Sequence, residues 1–239
     1  MTPPKRPDGI IIALDGPAGS GKSSTARAVA ARLGYRHLDS GGFYRAITYA
    51  ALRAGIDPDS WGSLTHAQLD TLDVHGHATE TGYRMTVGGR DVSAEIRAPE
   101  VNAHVSQMAA VAGVREWLMD ALREAGARGG LVADGRDIGT VVFPDAELKA
   151  YLICDPEERA LRRLREQGAD DLSTEHVRAE AARLQGRDQI DSSREAAPLR
   201  QADDAVVIDT TQLTFDEQVA RIEGLARERA GIDRNADVS

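Results

Sequence analysis

The 239-residue chain has 41% apolar and 28% charged residues, a composition typical of a globular protein with a sizeable core. Its formal net charge of −9 argues against a broad nucleic-acid surface but leaves room for a local basic pocket. The longest apolar run, residues 10–14, is too short to span a bilayer, and the single cysteine, Cys154, excludes an intramolecular disulfide. We therefore expect a cytoplasmic protein without membrane or nucleic-acid partners, and take a monomer as the simplest state.

The first part of the chain alternates between strand and helix. The apolar run at residues 10–15 predicts a buried parallel strand, and glycines interrupt it over residues 16–21. Apolar residues at helical spacing then predict a helix at 21–33. A second strand at 35–38 and a second helix at 43–54 repeat this order.

The middle of the chain changes character. Residues 72–79 and 83–87 predict neighbouring strands, and a Gly-Gly turn leads into a third short strand at 90–92. Strands that follow one another without an intervening helix do not belong to a βαβ order. Residues 63–96 therefore predict a small antiparallel insert.

From residue 99 onward, the alternation of helices and strands returns. We predict helices at 99–112, 114–125, 156–167, 174–187 and 215–229, and strands at 131–134, 148–154 and 205–209. Together these elements predict an α/β fold, in which a parallel sheet carries helices on both faces and one antiparallel insert. Residues 9–230 would form a single domain, with flexible tails at 1–8 and 231–239.

The interruption after the first strand carries a phosphate-binding motif. Residues 16–23 read GPAGSGKS and fit the P-loop pattern G-x-x-x-x-G-K-[ST], between a predicted strand and a predicted helix. Lys22, one of only three lysines in the chain, would place its charge on the β- and γ-phosphates, and the Ser23 hydroxyl would ligate Mg²⁺. The predicted nucleotide-binding residues are Gly16, Pro17, Ala18, Gly19, Ser20, Gly21, Lys22, Ser23 and Ser24.

Two arginines indicate a second anion site. Arg45 lies near the start of a predicted helix, and Arg136 follows the predicted strand at 131–134, where ligands gather in open α/β sheets. A guanidinium grips phosphate bidentately and is costly to bury without an anion. A surface salt bridge is the alternative for each of them.

Five segments resemble bacterial cytidylate kinases, in the order of that family and over nearly the whole chain. They are residues 12–24 (IALDGPAGSGKSS), 38–46 (LDSGGFYRA), 91–101 (DVSAEIR…EV), 132–146 (VADGRDIGTVVFPDA) and 187–199 (RDQIDSSREAAPL). Adenylate and shikimate kinases share the P-loop but not the string at 133–146. The resemblance implies a P-loop kinase fold, with a nucleoside-monophosphate region at about 40–115 that contains the insert, and a mobile lid at about 156–187.

The resemblance also implies an activity: ATP-dependent phosphorylation of CMP and dCMP by direct in-line transfer, a step of pyrimidine nucleotide metabolism. It implies that Arg45 and Arg136 hold the acceptor phosphate. It further implies that the cytosine contacts Ser40, Arg115, Asp137 and Arg194, and that the sugar contacts Ser106, Arg187 and Asp191. The predicted catalytic residues are Lys22, Arg136, Arg159 and Arg163.

Three features allow more than one interpretation. Asp134 ends a buried strand, where it would orient water on Mg²⁺ or instead cap a helix or pair with an arginine. Arginines on the first polar helix, with Arg159 and Arg163 favoured, would reach the triphosphate or only form ion pairs with nearby glutamates. His75 and His77 share a strand face, but the lack of a third ligand nearby favours a surface pair over a metal site.

Two other functions stay open from the sequence. The chain could be another P-loop kinase, acting on uridylate as well as cytidylate or on a metabolite. It could also be a nucleotide-binding regulator that uses the P-loop as a switch. Since a switch does not need a second anion pocket, Arg45 and Arg136 argue against the regulator.

Overall fold

The structure, a computed structural model, describes residues 6–231. Its strands are β1 (Ile11–Asp15), β2 (Arg36–Asp39), β3 (Val74–Ala78), β4 (Tyr83–Val87), β5 (Arg90–Asp91), β6 (Leu131–Gly135), β7 (Leu148–Ile153) and β8 (Val206–Asp209). Five of them form a parallel sheet in the order β2-β6-β1-β7-β8, and β3, β4 and β5 form a separate three-stranded antiparallel sheet. The predicted α/β architecture with its insert is therefore confirmed.

The helices surround the parallel sheet. They are α1 (Lys22–Leu33), α2 (Ser40–Arg53), α3 (His66–Thr71), α4 (Pro99–Ala110), α5 (Ala112–Gly126), α6 (Pro156–Glu166), α7 (Thr174–Ser193) and α8 (Phe215–Ala230). Short 3₁₀ segments lie at Pro58–Ser63 and Glu95–Arg97, and one π-helical turn lies at Ile138–Val142.

The central strand β1 is buried on both faces, which explains its unbroken apolar run. Because side chains alternate along a strand, Ile11 and Ala13 join a core built mainly with α2, α4 and α5. Ile12 and Leu14 point to the other face and join a second core with α1 and α8. The carboxyl end of this sheet is the edge from which the P-loop emerges.

Several elements differ from the sequence prediction. The helix α2 begins at Ser40 rather than residue 43, because the Asp39 carboxylate caps it by accepting from the Gly42 N–H at 3.1 Å. The helix α7 continues to Ser193 rather than ending at residue 187. The helix α3 and the 3₁₀ turns were not predicted, because segments this short carry little periodicity.

Residues 6–8, which the sequence assigned to a flexible tail, are held against the rest of the protein, so this prediction is corrected for them. Arg6 donates to Asp145 at 2.7 Å and to Glu147 at 2.6 Å, and Asp8 accepts from Arg128 at 2.7 Å. The remaining predicted tail residues, 1–5 and 232–239, lie outside the described residues. Within residues 6–231, no helix is long and apolar enough to cross a membrane.

Candidate active site

The P-loop joins the end of β1 to the start of α1. Gly16, Gly19 and Gly21 have φ values of 149°, 76° and 82°, which side chains disfavour. A Cβ at Gly16 would also lie 2.3 Å from the Leu152 carbonyl oxygen, so only glycine fits there. The turn, with the first residues of α1, forms the floor of a cavity of about 290 Å³, the P-loop cavity.

Lys22 is held inside the loop. Its side chain is buried, and Nζ donates to the Pro17 carbonyl oxygen at 2.7 Å. Burial, and to a smaller extent the nearby positive charge of Arg136, lower the pKa of this ammonium to about 7. A polyphosphate in the cavity would stabilise the protonated ammonium, so Lys22 would carry its positive charge when an anion is bound.

Ser23, Asp134 and His37 form a hydrogen-bonded group beside the loop. The Ser23 hydroxyl donates to Asp134 Oδ2, and His37 Nε2 lies 2.7 Å from Asp134 Oδ1. Within the described residues, this carboxylate caps no helix and forms no ion pair with an arginine, and its hydrogen-bond partners are Ser23 and His37. A hydroxyl and a carboxylate side by side at the phosphate site are the hard oxygen donors that Mg²⁺ prefers, and they fit that cation.

A second cavity, the acceptor pocket, adjoins the P-loop cavity on the side of α2, α4 and α7. Every residue that the resemblance assigned to the acceptor lines it: Ser40, Arg45, Ser106, Arg115, Arg136, Asp137, Arg187, Asp191 and Arg194. These residues come from distant parts of the chain, so only the fold brings them together. Their individual roles toward a ligand stay predictions.

Three arginines stand at the junction of the two cavities. Arg45, Arg136 and Arg187 line both the P-loop cavity and the acceptor pocket, as Ser23 does. Burial, and the charges of the other two arginines, lower the pKa of Arg187 to about 10. Burial also lowers the pKa of Arg45. Positive charges this close together repel one another while no anion is bound. A bound anion would relieve that repulsion.

Carboxylates partly balance these arginines. Arg136 Nε donates to Asp191 Oδ2 at 2.7 Å, and Arg45 Nη1 lies 3.9 Å from Asp39 Oδ1. The Arg136–Asp191 pair is inside the acceptor pocket, so it is not the surface salt bridge that the sequence left open. A ligand phosphate could bind Arg136 in place of Asp191, and a ligand hydroxyl could bind Asp191 in place of Arg136.

Asp137 lines the acceptor pocket and is only 3% exposed. Its Oδ2 accepts from Arg115 Nη2, and its Oδ1 lies 3.6 Å from Arg194 Nη2. Burial raises the pKa of Asp137, and the two arginines oppose that shift. The π-helical turn that follows is held by Asp15, whose carboxylate accepts from the backbone N–H groups of Ile138 and Gly139 at 2.9 and 2.8 Å.

Three side chains that line the acceptor pocket each have a buried polar atom without a hydrogen-bond partner in the described residues. Within residues 6–231, Tyr44 Oη, Arg187 Nε and Arg194 Nη2 are buried and accept or donate no hydrogen bond. Buried polar groups in folded proteins are normally paired, so these atoms are available to hydrogen-bond a ligand. Burial raises the pKa of Tyr44 to about 12, which keeps its hydroxyl protonated.

The arginines of α6 are not equivalent. Arg163 lines the P-loop cavity, and its Nη1 donates to Glu166 Oε2 at 3.3 Å, the kind of ion pair that the sequence left open. Arg159 instead is buried against the loop itself, donating to the Ala18 carbonyl oxygen at 3.0 Å and to Asp188 Oδ2. Arg162 donates to the Thr210 carbonyl oxygen at 2.7 Å. Contact of Arg159 or Arg163 with a triphosphate stays a prediction.

Sequence reasoning missed three residues of this region: His37, Tyr44 and Asp188. His37 shares one face of the short strand β2 with Asp39. Two polar residues on a strand face are only a weak indication of a functional site. Tyr44 precedes Arg45 within the segment LDSGGFYRA, and Asp188 follows Arg187 within RDQID, so the motifs contained both. Only the tertiary structure shows what their side chains contact.

The histidines of β3 lie away from both cavities. His75 Nε2 lies 2.8 Å from Asp73 Oδ1, and His77 Nε2 lies 3.0 Å from Thr86 Oγ1. In the described part of the chain, no group of three or more His, Cys, Asp or Glu side chains is arranged to hold a metal ion.

Comparison with known proteins agrees with this geometry. The family model for cytidylate kinase matches residues 12–228. The cytidylate kinase of Exiguobacterium sibiricum is 46% identical over 217 residues, covering 91% of this chain and 96% of that protein. The cytidylate kinase of Mycobacterium avium is 43% identical over 229 residues, covering 94% of this chain and 98% of that protein.

Among solved structures, shikimate kinase from Acinetobacter baumannii in complex with shikimate matches with a TM-score of 0.41 and 19% identity, covering 92% of this chain and 93% of that chain. A similarity at this level says nothing about the substrate. The family model and the curated relatives, by contrast, extend over nearly the whole chain and include both cavities. The chain belongs to the cytidylate kinase family.

Proposed function

We propose that this protein transfers the γ-phosphoryl group of ATP directly to CMP or dCMP, forming ADP and CDP or dCDP. The observation that carries this proposal is the junction of the two cavities, where Arg45, Arg136 and Arg187 line both. A donor phosphate on the P-loop side and an acceptor phosphate on the other side would meet the same three cations. A regulatory switch needs only the P-loop side.

The donor side offers the groups that a triphosphate requires. The P-loop backbone and the start of α1 supply N–H groups and a positive dipole, and Lys22 supplies a charge. Ser23 and Asp134 would hold Mg²⁺, the serine directly and the carboxylate through water. When bound, the cation neutralises charge on the β- and γ-phosphates. Arg163 lies in the same cavity, where it would add to that neutralisation.

The acceptor side offers a matching polar pattern for cytidylate. The cytosine 4-amino group donates, and Asp137 can only accept while it is ionised. Cytosine N3 and O2 accept, and Arg194 Nη2 is a buried donor without a hydrogen-bond partner in the described chain. Ser106 and Asp191 lie along the pocket, where they would meet the sugar hydroxyl groups. Ser40 donates to the Asp134 carbonyl oxygen at 2.8 Å, which ties this pocket to the strand that carries Asp134.

No general base is needed for the transfer. The acceptor is a phosphate oxygen that is already anionic at neutral pH, so the protein has to position the two phosphates and neutralise their charge. The arginines at the junction oppose the repulsion between the two anions and support an in-line approach. Lys22 would follow the γ-phosphoryl group as negative charge develops on the leaving oxygen.

We further propose that the protein acts in the cytoplasm as a monomer, with nucleotides as its only partners. The support is indirect: a net charge of −9 disfavours nucleic acid, and a lone cysteine suits a reducing compartment. Size-exclusion chromatography with light scattering tests the oligomeric state, and a mass of twice 25.7 kDa would contradict it.

A panel assay tests the proposed activity. Purified protein with ATP and Mg²⁺ is given CMP, dCMP, UMP, AMP, GMP, shikimate or no acceptor, and ADP formation is followed by a coupled assay. We expect turnover with CMP and dCMP, at least about tenfold above every other acceptor in kcat/KM. Equal use of UMP would favour the broader uridylate/cytidylate kinase, and ATP hydrolysis that ignores every acceptor would favour the regulator.

A further inference from the structure

The first half of the P-loop is tied to α6 and α7 by a partly buried ion pair between Arg159 and Asp188. The Ala18 N–H donates to Asp188 Oδ1 at 2.8 Å, and the Ala18 carbonyl oxygen accepts from Arg159 Nη1 at 3.0 Å. Arg159 Nη1 also donates to Asp188 Oδ2. Both polar groups of one P-loop residue are therefore held by two side chains that also hold each other.

Apolar packing supports this attachment. The Ala18 side chain belongs to a small core that is otherwise built from α6 and α7, separate from the two cores of the sheet. The next residue, Gly19, lies so close that an added Cβ would come within 3.2 Å of the Arg159 carbonyl oxygen and 3.3 Å of Leu184 Cδ1. A shift of α7 therefore cannot leave this part of the P-loop unchanged.

The same stretch of α7 also reaches the acceptor pocket. Arg187, adjacent to Asp188, lines both cavities. Asp191, one turn further, lines the acceptor pocket and accepts from Arg136. Because a helix moves as a rigid element over a single turn, Asp188 and Asp191 cannot shift independently of each other.

We propose that Asp188 is a positioning residue that couples the two substrate sites, by transmitting the position of α7 to the Ala18 peptide of the P-loop. This inference rests on the proposed function. An acceptor that binds Asp191 and Arg187 fixes the position of α7. Through its hydrogen bond to the Ala18 N–H, Asp188 then fixes the position of the P-loop that binds the triphosphate. By reciprocity, a triphosphate on the loop raises the affinity for the acceptor by the same factor.

Binding measurements on two variants test the coupling. A non-hydrolysable ATP analogue with Mg²⁺ is titrated into the full-length protein by calorimetry, alone and with saturating CMP, and CMP is titrated alone. The coupling factor is the ratio of the two dissociation constants for the analogue. In Asp188→Ala, we expect analogue binding to weaken about tenfold and the coupling factor to approach one, while binding of CMP alone changes less than about twofold.

The second variant separates charge from shape. Asp188→Asn keeps the size and one acceptor oxygen for the Ala18 N–H but removes the charge that faces Arg159. We expect an intermediate coupling factor, and this variant serves if Asp188→Ala fails to fold. Gln189→Ala, at the neighbouring exposed position, is the matched control and should keep the wild-type factor.

The outcomes distinguish this inference from the proposed function. If wild type binds neither CMP nor the analogue, the proposed function fails and this inference fails with it. If wild type binds both, then a coupling factor of one in wild type overturns the role of Asp188 alone. A wild-type coupling factor in both Asp188 variants, with only a lower melting temperature, also overturns it, because the carboxylate would then be purely structural.

Discussion

Replacing Asp137 by Asn should narrow the preference of the protein for CMP over UMP. The carboxylate, which can only accept while it is ionised, lines the acceptor pocket between Arg115 and Arg194. Cytosine presents an amino donor at the position where uracil presents a carbonyl acceptor. An asparagine side chain can turn either its oxygen or its amino group toward the base, so it loses the basis for discrimination.

The magnitude follows from the burial of this site. Uracil facing the buried Asp137 would leave an acceptor against an acceptor, which costs about 1–3 kcal/mol and gives wild type at least a tenfold preference, roughly, for CMP. Asp137→Asn also removes the carboxylate that pairs with Arg115 and one of the two carboxylates near Arg194. Removing one member of a buried pair costs about 3–5 kcal/mol of folding free energy. That loss is the same whichever nucleotide is present, so it cancels in the CMP/UMP ratio.

The assay compares kcat/KM for CMP and UMP in wild type and variant, with urea unfolding to confirm that the variant is folded. Asp191→Asn is the matched control, because it removes a charge from the same pocket at a residue that we propose to meet the sugar and not the base. It should lower both substrates together and keep the ratio. If Asp137→Asn also lowers both together, Asp137 positions phosphate or Mg²⁺ and does not read the base.

Four further predictions follow from the site. Lys22→Ala should lower kcat by at least about a hundredfold with the unfolding free energy preserved, and near-normal turnover would contradict the P-loop assignment. Tyr44→Phe removes a hydroxyl without a partner in the described chain, so it should weaken CMP binding about tenfold by calorimetry without lowering the melting temperature; unchanged CMP affinity would contradict this. Arg163→Ala should raise KM for ATP with little change in melting temperature, whereas Arg159→Ala should lower the melting temperature because it removes P-loop contacts; the reverse pattern would exchange their roles. Burial raises the pKa of Asp15 to about 6, so the folded state binds a proton more readily than the unfolded state. Relative to Asp15→Asn, wild type should therefore lose about 3 kcal/mol of unfolding free energy as pH rises from about 4 to about 6, and a difference that does not change with pH would refute the shift.

Much of the fold was accessible from the sequence because its signals are local. The apolar run of β1, the P-loop glycines and the helical spacing of α1 follow each other within a few turns of chain. The Gly-Gly turn predicted the hairpin of the insert, and Gly88 and Gly89 indeed have φ values of 57° and 72°. These features depend on backbone conformation, which neighbouring residues determine.

The candidate site was accessible in part. The resemblance collected the acceptor residues, and the structure brings all of them to one pocket. The hydrogen bond from the Ala18 N–H to Asp188 could not be predicted from the sequence, because 170 positions separate the two residues and no local pattern links them. The orientation of the Arg159 side chain toward Ala18 and Asp188 could not be predicted for the same reason. An arginine on a polar helix is compatible with either orientation until the packing partner is known.

The most direct test of the central claim follows the phosphoryl group itself. Protein, Mg²⁺ and γ-³²P-labelled ATP are incubated with and without CMP, and the products are separated from the protein by chromatography. The account predicts that the label appears in the β-phosphate of CDP, only when CMP is present, and that none is retained on the protein. Label that appears as inorganic phosphate regardless of CMP, or that stays covalently on the protein, would contradict direct transfer between the two cavities.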